Sequence, residues 1–139
     1  MKGGIRMKRI LLAAILAVSL LFMSSCTGLL SVFWNITGLW DVLLDTSSNT
    51  AINDYQVVEL NLTKTGNDIT GNATVTGKNE VTNQVTGKAT STSLHVEIVT
   101  PTATITLDGT TTASDEMMGK YLVDTGTSTY TGDWRGNKR

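Results

Sequence analysis

Residues 55–77 read YQVVELNLTKTGNDITGNATVTG, and this stretch decides the fold. From Tyr55 to Thr65 the apolar residues Val58, Leu60 and Leu62 fall on every second position. A β-strand sends successive side chains to opposite faces, so this spacing buries one face and wets the other. Gly66-Asn67-Asp68 follows, three residues that accept turn geometry. Ile69 to Gly77 then repeats the alternation. The two runs predict a pair of antiparallel strands with a tight connection.

The same grammar extends in both directions. An apolar residue, usually a threonine, a glycine and often a second apolar residue two positions later recur along the chain. Examples are Ile36-Thr37-Gly38-Leu39-Trp40, Val85-Thr86-Gly87-Lys88-Ala89, Met117-Met118-Gly119-Lys120-Tyr121 and Tyr130-Thr131-Gly132-Asp133-Trp134. The spacing is too irregular for a solenoid. It predicts eight strands: Thr37 to Thr46, Tyr55 to Thr65, Ile69 to Gly77, Val81 to Thr90, one marked by Leu94, Val96 and Ile98, one marked by Ala103, Ile105 and Leu107, Met117 to Val123, and Ser128 to Gly136. Residues 47–54 (SSNTAIND) read as a looser loop, Lys78-Asn79-Glu80 as a turn, and Pro101 sits in a turn where its missing N–H costs nothing.

Eight strands apolar on one face bury that face by closing on themselves, which also removes exposed edges. The expected fold is all-β: a small eight-stranded antiparallel up-and-down β-barrel preceded by an N-terminal signal helix. A two-sheet sandwich shares the same alternation. At eight strands the interior is filled by side chains or holds one small ligand. The inward glycines relieve crowding and make room for neighbouring Trp and Tyr rings.

The N-terminal region has a different pattern. Lys8 and Arg9 precede an apolar run, Ile10 to Met23, of 14 residues. A membrane-spanning helix needs roughly 20. Ser24 and Ser25 then lead to Cys26, the only cysteine. Basic start, short apolar centre and small residues at the exit read as a cleaved signal. The arrangement Met23-Ser24-Ser25-Cys26 resembles the signal of bacterial lipoproteins, in which the cysteine becomes the acylated first residue. An uncleaved anchor running on through Leu29, Leu30 and Phe33, and a soluble secreted protein, are the other readings. Domain boundaries follow: 1–25 signal peptide, 26–36 lipidated Cys and short tether or plug, 37–139 barrel. The resemblance implies an extracytoplasmic protein held by lipid at a bacterial membrane, the outer one where two are present, since Thr27 and not Asp follows the cysteine.

The chain has 11 basic and 12 acidic side chains. Lys2, Arg6, Lys8 and Arg9 belong to the signal, which leaves 7 against 12. That balance argues against a nucleic-acid partner. Thr makes up about a fifth of residues 26–139, and threonine suits a solvated pleated face.

Gly38-Leu39-Trp40 opening the first strand, after Val32, Phe33 and Trp34, resembles the start of lipocalins, and Ile36 to Trp40 is similar to the opening of avidin-type barrels. That calycin-like resemblance implies a plug at one barrel end and a basic residue over the Trp, a role that Arg135 matches. Val42 and Thr46 stand where the avidin site expects Asn and Ser, so biotin binding is not implied.

Chemistry is sparse. His95 is the only histidine and lies on the outward phase beside Glu97, without the partners that a metal ligand or general base needs. Asp41 and Asp45 share an outward face, and Asp115 and Glu116 share a loop, too few oxygens for a typical cation site. Neither an enzyme, a cofactor nor a metal is expected. Asn35, Asn61 and Asn72 match the glycosylation triplet, which a bacterial origin makes irrelevant. Trp40, Trp134, Tyr121 and Tyr130 fall inward, either as core or as an aromatic wall. The first functional expectation is a small hydrophobic ligand near the open end, lined by Trp40, Val42, Leu60, Tyr121 and Trp134. The second is a structural or protein-interaction module of the cell envelope with a packed core. Leu39, Leu43, Met118 and Leu122 fall outward and would border one surface if the first and last strands adjoin, a place for a homo-oligomer contact.

Overall fold

A computed structural model describes residues 35–77, 82–90 and 93–139. The signal segment, Cys26, residues 26–34 of the tether and the Lys78-Asn79-Glu80 turn lie outside the described residues.

Eight strands form one closed barrel in sequence order: β1 (Gly38–Leu44), β2 (Val57–Thr65), β3 (Asp68–Val75), β4 (Thr82–Ala89), β5 (Leu94–Val99), β6 (Thr104–Ala113), β7 (Glu116–Asp124) and β8 (Thr129–Lys138). Every neighbour is antiparallel, and β8 returns to pair with β1. The barrel, and not the sandwich, is the fold. The registers show how it closes. Gly38 faces Leu62, and the row continues through Gly71, Val85, Ile98, Ile105, Val123 and Tyr130. Trp134 faces Leu44, so Tyr130 falls opposite position 48, ten residues beyond the start of the circuit. Such a stagger tilts the strands and fixes the narrow bore of an eight-stranded barrel.

The alternation places the core as the sequence predicts. Trp40, Val42 and Leu44 of β1, Val58, Leu60 and Leu62 of β2, and Leu94, Val96 and Ile98 of β5 are all buried. A fully buried aliphatic side chain of this size contributes about 1.5–3 kcal/mol, which is the main source of stability here. Inward glycines lie where strands press together. A Cβ on Gly71 would collide with the main-chain carbonyl of Asn61, and one on Gly119 with that of Asp108. A Cβ on Gly132 would lie 2.7 Å from the Tyr121 ring, and one on Gly109 2.7 Å from the Trp134 indole.

Both mouths are covered. The first, where β1 begins and β8 ends, holds Ile36, which is buried and accepts the Trp40 Nε1–H bond on its carbonyl at 2.8 Å. The second mouth differs from the looser loop expected over residues 47–54. A 3₁₀ turn, Thr50–Tyr55, buries Ile52 and Tyr55 there. Tyr55 Oη lies 2.8 Å from Thr102 Oγ1 across the mouth, and the Thr46 hydroxyl donates to Asn53 Oδ1 at 2.7 Å. The turn puts two apolar side chains over the barrel end, a tertiary gain that local sequence period does not express.

Candidate functional site

The five residues expected to line a ligand site do converge. Trp40 and Val42 of β1, Leu60 of β2, Tyr121 of β7 and Trp134 of β8 all point into the bore, at 0–3% exposure. Their polar atoms are spoken for. Tyr121 Oη donates to the Asp45 carbonyl at 2.9 Å. Trp134 Nε1 is shared between the carbonyls of Lys120 (3.0 Å) and Asp108 (3.2 Å). Among the described residues, no buried side-chain nitrogen or oxygen lacks a hydrogen bond. Burial holds the Tyr121 phenol above its ordinary range, and the nearby Asp45 and Asp133 carboxylates push the same way. Tyr130 is partly buried and packs against this core.

The cation over Trp40 is Lys138, not Arg135. Its Nζ lies 5.7 Å from the indole centroid and donates to the Asn35 carbonyl at 2.9 Å. Arg135 is on the opposite phase of β8, facing Leu43 and Met118 on the outer wall. Lys138 has the inward phase at the rim, where a long side chain folds over the mouth.

Leu39, Leu43, Met118 and Leu122 are exposed, at 38–46%. They flank β8 from β1 and β7, as closure requires. Arg135 separates Leu43 from Met118, and Thr131 lies beside Leu122. Val57, opposite Leu43 and also exposed, extends the apolar contact. A surface depression of about 730 Å³ runs along this wall, lined by Leu43, Asp45, Met118, Lys120, Asp133 and Arg135 among others. A second, of about 560 Å³, lies beside Asp108, Lys120, Leu122 and Thr131. Both are lined chiefly by outward side chains.

Charges pair across strands on the outside. Asp133 faces Lys120, Lys120 faces Asp108, Asp108 faces His95, His95 faces Lys88, and Lys88 faces Asp68. His95 Nδ1 is 2.6 Å from Asp108 Oδ1. The partner thirteen residues away could not be read beside His95 in the sequence; Glu97, two residues on, was the visible neighbour. Arg139 donates through Nε to Asp41 (2.8 Å) and through a terminal nitrogen to Glu59 (2.6 Å), joining β1 and β2 to the residue after β8. The Arg139 hydrogen bond holds the Asp41 carboxyl below its ordinary range, and Asp41 and Glu59 hold the Arg139 guanidinium more firmly protonated. Ser47 does the same to Asp45 as Arg139 does to Asp41. Among the described residues, no group of three or more His, Cys, Asp or Glu is placed to hold a metal ion.

The described residues thus define a small closed up-and-down β-barrel with a filled bore and a polar outer wall carrying scattered apolar side chains. No known protein family, curated protein or solved structure matches the chain.

Proposed function

We propose that the protein is a lipid-anchored barrel of the bacterial cell envelope, acylated at Cys26, that works through its outer wall as a structural or protein-interaction module. The observation that carries the choice is the filled interior. Trp40, Val42, Leu60, Tyr121 and Trp134 belong to one buried core cluster, and both mouths are covered by Ile36 and by the Thr50–Tyr55 turn. A small hydrophobic ligand among those five residues would have to displace packed side chains, at the cost of contacts and cavities worth several kcal/mol. The outer strip of Leu43, Val57 and Met118 beside the 730 Å³ depression offers apolar area without that cost. The anchor reading rests on the basic, apolar and small-residue succession that ends at Cys26. The extracytoplasmic location and the absence of a reaction belong to the same proposal.

The test combines two measurements on protein extracted from membranes. Intact-mass analysis is expected to find the chain starting at Cys26 with acyl chains attached, and Cys26→Ser is expected to abolish both the added mass and membrane retention. Native mass spectrometry is expected to find no bound small molecule, while cross-linking captures a partner or a second copy that Leu43→Asp with Met118→Asp releases. A stoichiometric hydrophobic ligand, with cross-links indifferent to those substitutions, would show the interior to be the working part.

A further inference from the structure

The geometry points to a fixed orientation on the membrane: the mouth holding Ile36 and Lys138 faces an anionic bilayer, and the mouth closed by the Thr50–Tyr55 turn projects away. This rests on the lipid-anchor reading of Cys26 and adds a surface and its partner to it.

Three observations converge. First, Asn35 is pinned at one mouth. Its carbonyl accepts from Lys138 Nζ, and the next residue, Ile36, is buried and bonded to Trp40. Second, residues 26–34 are nine in number, and nine residues reach at most ~30 Å even when fully extended. That keeps the Ile36 mouth within reach of the lipid surface. Third, the two mouths differ in charge. Around the Ile36 mouth, Lys64, Lys88, Lys138 and Arg139 stand against Asp68, Asp115 and Glu116, in the loops or within two residues of a strand end. Lys88 is paired with Asp68 and Arg139 with Asp41 and Glu59, which leaves Lys64 and Lys138 as the cations outside ion pairs with carboxylates at this mouth among the described residues. Lys64 and Lys138 share the inward phase of β2 and β8 and flank the point where β1 begins. Around the far mouth the described residues in the same positions are Asp45, Asp54, Glu59, Glu97 and Asp124, with no Lys or Arg.

Such an asymmetry aligns a body on a charged surface. Exposed charges are screened over roughly 10 Å at 0.1 M salt, and β2 alone, at about 3.3 Å per residue, is roughly twice that long even after tilting. Each mouth therefore meets the bilayer field separately. Lipid phosphates draw lysine and arginine to within a screening length of the surface and repel carboxylates. The lysines flanking Gly38 are the nearest cations to the lipid, and the three aspartates of the far mouth are the groups held furthest from it.

The experiment uses the processed, acylated protein in vesicles of phosphatidylglycerol and phosphatidylethanolamine. Because Cys26 is the only cysteine and its sulfur is acylated in this reading, a cysteine introduced elsewhere is the one free thiol. Asn67→Cys marks the β2–β3 turn at the proximal mouth, and Thr127→Cys the β7–β8 turn at the distal one; both positions are exposed. Each is labelled with a fluorophore and quenched by nitroxide-headed phospholipid. The Asn67 probe is expected to be quenched severalfold more strongly than the Thr127 probe, because the two turns lie at opposite ends of strands spanning ~20 Å along the barrel axis. The difference is expected to shrink on phosphatidylcholine vesicles, in high salt, and in Lys64→Glu with Lys88→Glu. Equal quenching, or stronger quenching at Thr127, on a chain whose mass confirms acylation overturns the orientation and leaves the anchor standing. A difference unchanged by salt, lipid charge and charge reversal overturns the part assigned to the lysines. A chain without acyl mass, labelled at Cys26 as well, overturns the anchor reading itself and the orientation with it.

Discussion

The barrel has two unlike halves. From β2 through β5 the buried inward residues are aliphatic apart from Asn83: Val58, Leu60, Leu62, Ile69, Ala73, Val75, Val85, Ala89, Leu94, Val96 and Ile98. The outside of β2, β3 and β4 is largely uncharged, with Asn61, Asn72 and Gln84 in one row and Thr63, Thr70 and Thr86 in the next. From β6 round to β1 the bore holds Trp134, Tyr121 and Trp40, and the outside carries the Lys120–Asp133 and Asp41–Arg139 pairs with Leu39, Leu43, Met118 and Leu122. The inward glycines are of two kinds, and the kind that faces rings occurs only in this second half, beside Gly119, which meets a carbonyl. Gly71 and Gly87, in the aliphatic half, meet main-chain carbonyls of the next strand, whereas Gly132, and Gly109 in part, meet aromatic rings. One kind of glycine admits a backbone and the other admits a large side chain. A narrow bore can house three large rings only where neighbouring positions surrender theirs.

The largest effect is expected on removing a ring. Trp134→Ala should lose about 3–5 kcal/mol in denaturant unfolding, since it empties the bore and strips a donor from two carbonyls. Leu62→Ala in the aliphatic half should lose less, because it forfeits no hydrogen bond. Equal losses would erase the distinction between the halves. The glycines sharpen it further. Gly132→Ala and Gly71→Ala should each cost about 1–3 kcal/mol through overpacking. Adding Tyr121→Leu should restore part of the Gly132→Ala loss, because the ring that crowds it is gone. Adding Leu62→Ala should restore none of the Gly71→Ala loss, because a carbonyl does the crowding. A double-mutant cycle reads the coupling directly.

Tyr121→Phe should cost about 1 kcal/mol by leaving the Asp45 carbonyl without its donor. The raised phenol also sets a direction with pH. Its contribution is complete below the unfolded tyrosine pKa of about 10 and is lost as pH rises through the higher folded value. Stability of the native chain should therefore fall more steeply in alkali than that of the Phe variant. The smallest effect belongs to the exposed clamp. Asp41 is held low by Arg139, so its share of stability is present above about pH 4 and is lost as pH falls through the lower folded value. Arg139→Ala should return the Asp41 carboxyl to its ordinary titration, seen by NMR, with a Tm change small beside the other three. An Asp41 titration that does not move would mean the clamp is absent in solution.

The strands and their inward residues were legible because alternation is a local signal. Val58, Leu60 and Leu62 announce a buried face without knowledge of what lies opposite. The role of the glycines beside Trp134 and Tyr121 was legible for the same reason, since ring and glycine share a phase. Pairings between distant residues were not. His95 gives no sign of Asp108, and Arg139 gives none of Asp41 and Glu59, because those contacts are set by register across the closed sheet. Lys138 lost to Arg135 in the sequence reading for want of a rim: only the strand's end lets an inward lysine fold over the mouth and reach Trp40. The Thr50–Tyr55 turn is too short for a helical period, and its two apolar anchors, Ile52 and Tyr55, are recognisable only against the opening they fill. The candidate ligand wall was legible as a set of neighbours, while its packing depended on volumes that no one-dimensional pattern carries.

The seam at β1 has a mechanical side. That strand is bonded to β2 along one edge and to β8 along the other, and the chain enters it past Asn35, whose carbonyl Lys138 grips. Tension applied through residue 35 acts along β1 and loads both ladders at once in shear, where unzipping would break their bonds one by one. A barrel strung in this way resists being dragged from its tether far better than a hairpin peeled from its end.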